Sequence, residues 1–234
     1  MDLGLDGKVA VVTAASKGLG LASARALAEE GAKVVINARS GLAEAAASIP
    51  GEVITVAGDM SAPDTPGRVV AEAVARFGGV DVVVANNGGP PPGRALDVSD
   101  DDVRAAVEAN LLSSVRLVRA AVPHMRRNGW GRICCITSYG VVWPIPSLPL
   151  SNLARGGLYN WARTAASELA PDGITLNLAC PGPHDTERMR QLGGDAVRGD
   201  PADFGRVVAF LCSRPAAFLT GQAVVVDGGA TAVQ

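Results

Sequence analysis

The sequence predicts an α/β fold, a doubly wound parallel sheet of about seven strands with helices on both faces. Unbroken runs of apolar, mostly β-branched residues recur along the chain, as at residues 9–13 and 80–84, and such runs are typical of strands buried on both faces. Segments with helical apolar spacing lie between them, which is the alternation that a parallel sheet requires. At 234 residues, 48% of them hydrophobic, the chain is expected to form a single domain over residues 1–234.

Composition excludes several classes of function. A net charge of −2 gives no basic surface for nucleic acid, and no apolar run is long enough to predict a membrane span. The first strand is expected near Lys8, which leaves no room for a signal peptide. The four cysteines show no metal-ligand spacing. We therefore expect reduced, buried thiols, no metal site and a cytoplasmic protein.

The first strand leads into a turn of small residues, residues 14–20 (AASKGLG), which precedes a helical pattern at residues 21–30 and a second strand at 33–36. Such a turn leaves backbone N–H groups unpaired at the positive end of the helix. This geometry holds a pyrophosphate, as in dinucleotide sites. An ordinary tight turn is the alternative.

Two basic residues favour NADP(H) over NAD(H). Arg39 follows the second strand, where an acidic residue would hold a ribose 2′-hydroxyl and an arginine suits a 2′-phosphate; Lys17 belongs to the turn. Asp59 follows the third strand, residues 52–57. It can accept a hydrogen bond from the adenine amino group, or cap the helix predicted at residues 64–77.

Polar residues collect where later strands and helices reach the same edge of the predicted sheet. Asn86 and Asn87 follow the fourth strand, and Ser138 follows the fifth, residues 131–137. Asn110 interrupts the apolar face of a helix predicted from Ser99 to about residue 127, either as a structural amide or as part of a site. Ser151 and Arg155 lie one turn apart on the inward face of the helix that starts near Pro149. The sixth strand, residues 174–180, ends at a Pro-Gly turn.

In order and spacing, these segments resemble the short-chain dehydrogenase/reductase family over essentially the whole chain, most nearly its 3-oxoacyl-(acyl-carrier-protein) reductase-like branch. The resemblance implies a Rossmann-like sheet, a nicotinamide cofactor, a small-molecule carbonyl or alcohol substrate and a homodimer or homotetramer. The cofactor-binding residues that it indicates, with the residues argued above, are Thr13, Ala15, Ser16, Lys17, Gly18, Leu19, Gly20, Arg39, Asp59, Met60, Asn86, Asn87, Gly88, Arg155, Pro181, Gly182, His184 and Thr186. The candidate catalytic residues are Asn110, Ser138, Ser151 and Arg155.

Three departures from the family pattern stand out. Ala14 occupies the position of the first turn glycine, and cofactor binding is expected to survive there if the backbone keeps a negative φ. The family's YxxxK motif is replaced by Ser151 and Arg155, and arginine cannot relay a proton at ordinary pH. The segment 186–201 is short for a substrate lid.

Two functions follow from this comparison. The first is an NADP(H)-dependent oxidoreductase with an altered proton donor. Ser138 and Ser151 would bond the carbonyl oxygen, Arg155 would stabilise negative charge and bind ribose, and Tyr139 or His184 would supply the proton. A loop histidine without a catalytic role is the alternative for His184. The second function is an NADP(H)-binding protein without reductase activity.

Overall fold

The computed structural model describes residues 1–193 and 197–232. Its centre is one seven-stranded sheet of order β3-β2-β1-β4-β5-β6-β7 in which every neighbouring pair is parallel. This confirms the predicted fold class. The strands are β1 (Val9–Val12), β2 (Lys33–Ala38), β3 (Val53–Ala57), β4 (Val82–Ala85), β5 (Gly131–Ile136), β6 (Ile174–Pro181) and β7 (Ala223–Val226).

Helices cover both faces of the sheet because alternate residues of each strand point to opposite sides. In β1, Val9 and Val11 join one core cluster, while Ala10 and Val12 join the other. The first cluster includes residues of α3, α5 and α6, and the second includes residues of α1, α2 and α8. The helices are α1 (Gly18–Glu29), α2 (Leu42–Ala47), α3 (Thr65–Phe77), α4 (Asp100–Val107), α5 (Ser113–Asn128), α6 (Pro149–Leu169), α7 (Glu187–Leu192) and α8 (Pro201–Leu211).

The long helix predicted from Ser99 is divided in two. Ser99 caps α4 as expected, in a capping box with Asp102. A π-helical turn, Glu108–Leu112, then separates α4 from α5. Hydropathy does not distinguish a π turn from an α turn, so this break could not be predicted from the apolar pattern. Such turns are frequent at functional sites, and this one carries Asn110.

The segment 186–201 contains α7, a short helix that the sequence analysis did not predict. Thr186 caps α7 by accepting a hydrogen bond from the backbone N–H of Met189. Residues 194–196 of this expected lid lie outside the described residues. Over the described part of the chain, the helices are too short or too polar to cross a membrane.

The strand order fixes where a ligand fits. The chain builds outward from β1 to β3 and then returns to place β4 on the other side of β1. The connections that leave β1 and β4 therefore run in opposite directions and open a crevice at the carboxyl ends of the strands, which is the usual ligand position in this architecture.

Candidate active site

A cleft of about 1450 Å³ opens at this crevice. It is large enough for a dinucleotide together with a small substrate. Most of the predicted site residues line it, and they come from segments far apart in the sequence. They are Ser16, Lys17, Gly18, Leu19, Arg39, Asp59, Met60, Asn86, Asn87, Gly88, Asn110, Ser138, Ser151, Arg155, Pro181, Gly182, His184 and Thr186.

The turn between β1 and α1 has the form that a phosphate requires. Helix α1 begins at Gly18, and its N-cap residue, Lys17, makes no side-chain capping bond, so the first backbone N–H groups of the helix face the cleft without a side-chain partner. Gly18 has φ +58°, a conformation that glycine adopts without strain. The turn therefore fits the pyrophosphate of a dinucleotide.

Ala14 departs from expectation. Its φ is +46°, in the left-handed region, so the condition under which the alanine was expected to be harmless is not met. The neighbouring contacts explain the conformation. The Ala14 carbonyl oxygen accepts a hydrogen bond from Nδ2 of Asn86 at 3.2 Å, and a Cβ built on Gly20 would lie 2.5 Å from that oxygen. The Ala14 carbonyl is thus held between Gly20 and Asn86.

Three of the residues predicted to bind the cofactor, Thr13, Ala15 and Gly20, do not line the cleft. Thr13 is buried and joins β1 to the end of β4: its hydroxyl donates to the Asn86 carbonyl at 2.7 Å and accepts from the Asn86 N–H at 2.9 Å. Ala15 is packed in the core, and its N–H donates to the Asn37 carbonyl. Gly20 allows the close approach of Ala14 and Asn86. These three residues support the turn from the side that faces away from the cleft.

The two basic residues expected at the adenosine end line the cleft but have acidic partners. The Lys17 ammonium lies 2.5 Å from Glu187 of α7, and both side chains are exposed. Arg39 lies 3.9 Å from Asp59. Asp59 also accepts a hydrogen bond from the Ser61 N–H at 2.9 Å. The N-cap of α3 is Asp64, so Asp59 is not the helix cap that was its alternative role.

Ser138 and Asn110 lie at the inner end of the cleft. The Ser138 hydroxyl oxygen accepts a hydrogen bond from the Gly140 N–H at 3.0 Å, which leaves its own proton available to a ligand. Asn110 is buried within the π-helical turn. Its amide nitrogen makes a long bond, 3.4 Å, to the Ala106 carbonyl, and its Oδ1 finds no partner among the described residues. A buried amide oxygen of this kind calls for a ligand or a water.

Arg155 is buried beside the ends of β4 and β5. It donates to the Ile136 carbonyl at 2.9 Å and to the Asn87 carbonyl at 3.2 Å. No carboxylate of the described chain lies within ion-pair distance of it. Burial, with a smaller contribution from the charge of Arg188, lowers the pKa of Arg155 to about 10, so its guanidinium is charged at neutral pH. Ser151, one turn earlier, is also buried and lines the cleft, as the sequence predicted.

The two residues considered as proton donors differ in their surroundings. The Nδ1 of His184 lies 3.0 Å from the Gly182 carbonyl oxygen, a contact that assigns the hydrogen to Nδ1. The ring also meets Phe204 edge-to-face, with centroids 5.1 Å apart, and both features favour a role in holding the loop. Tyr139 is half-buried in a 3₁₀ turn on the cleft wall.

The sequence analysis missed two residues that shape the site. Asn152 ties down the loop before α6: its Oδ1 accepts from the Ile145 N–H at 3.1 Å and its Nδ2 donates to the Ile145 carbonyl at 2.8 Å. Arg188 of α7 lines the cleft and donates to the Pro90 carbonyl at 2.5 Å. Its contact crosses 98 positions, and no local pattern signals such a pairing.

The fold and the cleft define the class of dinucleotide-binding α/β proteins. The family model described as enoyl-(acyl carrier protein) reductase matches residues 13–231. The chain is 35% identical to dehydrogenase/reductase SDR family member 4 of Sus scrofa, over 96% of this chain and 88% of that protein. It therefore belongs to the short-chain dehydrogenase/reductase family.

Two solved structures are similar throughout. One is L-sorbose reductase from Gluconobacter frateurii complexed with NADPH and L-sorbose, at 33% identity and a TM-score of 0.91, covering 97% of this chain and 98% of the other. The second is YwfH, an NADPH-dependent reductase involved in bacilysin biosynthesis, at 26% identity and a TM-score of 0.91, covering 95% of this chain and 97% of the other.

Proposed function

We propose that the protein is an NADP(H)-dependent oxidoreductase that reduces the carbonyl of a small molecule, with a proton donor other than the family's tyrosine. One observation carries the proposal: the phosphate-binding turn and the polar group of Ser138, Ser151 and Arg155 line a single cleft. One structural neighbour is complexed with NADPH and the other is NADPH-dependent, which supports the choice of cofactor.

The residues present fit this cofactor. The unpaired N–H groups at the start of α1 would hold the pyrophosphate, and Arg39, which is exposed and pairs only loosely with Asp59, would bind the 2′-phosphate. Arg155 would bind the ribose hydroxyls at the nicotinamide end. When bound, the cofactor supplies a hydride to the carbonyl carbon.

The protein would stabilise the charge that develops on the carbonyl oxygen. Ser138 is oriented by the bond that it accepts from Gly140, so its O–H can donate to that oxygen. The Arg155 guanidinium is fixed by two carbonyl oxygens and keeps its charge in a buried place, where electrostatic stabilisation is strongest. Ser151 adds a second hydroxyl to the same wall.

The proton would come from Tyr139, directly or through a water. A serine hydroxyl is a much weaker acid than a tyrosine, so Ser151 does not replace the family's donor. His184 is the second candidate, but its contacts with Gly182 and Phe204 favour a structural role. A positioned general acid contributes roughly 10²–10⁴-fold in rate, so a poorly placed donor slows reduction without abolishing it.

The test is NADPH consumption with electron-poor carbonyls: activated ketones, diketones, quinones and 3-oxoacyl thioesters. We expect slow turnover. Ser138→Ala should lower it by roughly 10²-fold, because an oxyanion donor is lost, and Arg155→Ala should also lower it. Tyr139→Phe should lower it further than His184→Asn does. Ser167→Ala, an exposed serine of α6, is the control and should leave the rate unchanged.

A gain of function tests the altered motif directly. The double change Ser151→Tyr with Arg155→Lys restores the family's pair in α6 and should raise turnover on simple ketones. If the double variant binds NADPH but its turnover does not rise, the site differs from the family's at more than these two positions.

A second function has one observation in its favour. The segment that aligns with the family's YxxxK carries Ser151 and Arg155, and a buried arginine that stays charged at neutral pH relays no proton. An NADP(H)-binding protein without reductase activity would bind NADPH tightly and consume none of it with any carbonyl of the panel. That result would replace the oxidoreductase proposal.

A further inference from the structure

Arg188 holds an unusual position for a residue of a surface helix. It is half-buried, and its guanidinium donates to the Pro90 carbonyl oxygen at 2.5 Å. A Cβ built on Gly89 would lie 3.3 Å from its Nη2 and 3.4 Å from its Nε, so the guanidinium lies close to the backbone of this segment. Helix α7 thereby projects a positive charge across the cleft onto the segment that follows β4.

Arg155 reaches the same segment from the other side. Its Nη2 donates to the Asn87 carbonyl, three residues before Pro90. The two guanidinium groups are close enough for the charge of Arg188 to contribute to the lowered pKa of Arg155. Two cations thus meet at the segment that follows β4.

No protein carboxylate balances these two charges within the described residues. Both guanidinium groups donate to backbone carbonyl oxygens. The acidic residues that flank Arg188 are already committed: Asp185 pairs with Arg190, and Glu187 pairs with Lys17. Like charges placed together destabilise each other, so an anion bound between them would be favoured.

The position of this pair points to the substrate. The phosphate-binding turn follows β1, with its own free N–H groups and Lys17. Arg155 and Arg188 instead contact the backbone that follows β4, and Arg155 also bonds Ile136 at the end of β5, two residues before Ser138. The cofactor phosphates have a site of their own, which leaves the second anion site to the molecule that is reduced.

We infer that Arg188 binds a carboxylate of the substrate, next to the positive charge of Arg155, so that the preferred substrates are oxo acids. The planar fork of a guanidinium matches a carboxylate, which it can bind through two parallel hydrogen bonds. The carboxylate takes no part in the reaction and is unchanged by it; only the carbonyl is reduced. The inference rests on the proposed function and deepens it by naming the substrate class.

The experiment compares acids with their uncharged esters. Pyruvate, acetoacetate and 4-oxopentanoate are each assayed beside their methyl esters, with NADPH in excess. Charged hydrogen bonds of this kind correspond to roughly 10- to 100-fold in affinity, so at least one acid should exceed its ester by about that factor in kcat/KM. Arg188→Gln should bring the ratio near one by raising KM, and Arg188→Lys should restore part of it.

Arg190→Gln is the matched control. It removes an arginine from the same helix, but one that is exposed and paired with Asp185, so the preference for the acid should remain. NADPH affinity is titrated by nucleotide fluorescence in each variant. If Arg188→Gln weakens NADPH binding and leaves the acid-to-ester ratio unchanged, Arg188 belongs to the cofactor site and the inference is wrong. The inference is also wrong if the wild-type protein reduces none of the three acids better than its ester.

A binding measurement separates this inference from the proposed function. If NADPH binds and neither acids nor esters are reduced, the reductase proposal fails. The anion site is then tested by the binding of oxamate, an unreactive carboxylate that resembles pyruvate. Oxamate should change the fluorescence of NADPH bound to the wild-type protein and to Arg190→Gln, but not to Arg188→Gln. No oxamate response in the wild-type protein would refute the anion site.

Discussion

Ala14 offers the sharpest test of the turn geometry. It adopts φ +46°, and a left-handed conformation costs an L-residue about 1–2 kcal/mol because its Cβ crowds the following carbonyl oxygen. Glycine lacks this Cβ. The change Ala14→Gly should therefore remove the strain while keeping the hydrogen bond between Asn86 and the Ala14 carbonyl.

The gain is reduced by an effect on the unfolded chain. Glycine has more conformations to lose on folding, at a cost of about 0.4–1 kcal/mol. The difference predicts that Ala14→Gly raises the free energy of unfolding by about 0.5–1 kcal/mol. For a chain of this size, 1 kcal/mol corresponds to about 2–4 °C in Tm, so the expected rise is about 1–4 °C.

Differential scanning calorimetry of the protein without nucleotide measures this shift, and urea unfolding checks it. The neighbouring change Ala15→Gly is the control. Ala15 is fully buried and has no positive φ. Its change to glycine removes a packed methyl group and raises the entropy of the unfolded chain, so the free energy of unfolding should fall by about 1–2 kcal/mol. A lower Tm for Ala14→Gly would refute the strain argument.

Three further predictions concern the cofactor, the assembly and the effect of pH. NADPH should bind about 10- to 100-fold more tightly than NADH, and Arg39→Asp should remove this preference. The control Arg76→Asp changes an exposed residue away from the cleft and should keep it, whereas equal affinities in the wild-type protein would contradict the assignment of Arg39 to the 2′-phosphate. Light scattering at micromolar concentration should give the mass of a dimer or a tetramer, and a monomeric mass would contradict this. The reason is that α4, α5 and α6 carry small and apolar residues on more than one face, and that Leu153 of α6 is 48% exposed. The rate of reduction should fall as pH rises through about 10, because the Arg155 guanidinium is charged below this pKa and neutral above it. If Arg155→Ala shows the same fall in rate as the wild-type protein, the titration of Arg155 is not its cause.

The sequence by itself determined the features that depend on local physics. The central strands β1, β4 and β5 follow from apolar runs that are buried on both faces, and the sequence order of strands and helices imposes a parallel sheet. The small residues after β1 mark the phosphate-binding turn. Ser138 could be placed at the cleft because the ends of parallel strands share one edge. Ser151 and Arg155 could be placed together because residues four apart share one face of a helix.

Only the tertiary structure decided the features that depend on contacts between distant segments. The positive φ of Ala14 is set in part by Asn86, 72 positions away, and the Thr13 hydroxyl pairs with the same residue. Asn110 lies in the π-helical turn, and its side-chain oxygen has no partner among the described residues. Arg188 of α7 reaches the segment after β4 through its hydrogen bond to the Pro90 carbonyl, 98 positions away. A pattern within one segment carries no information on the atoms that another segment will present to it.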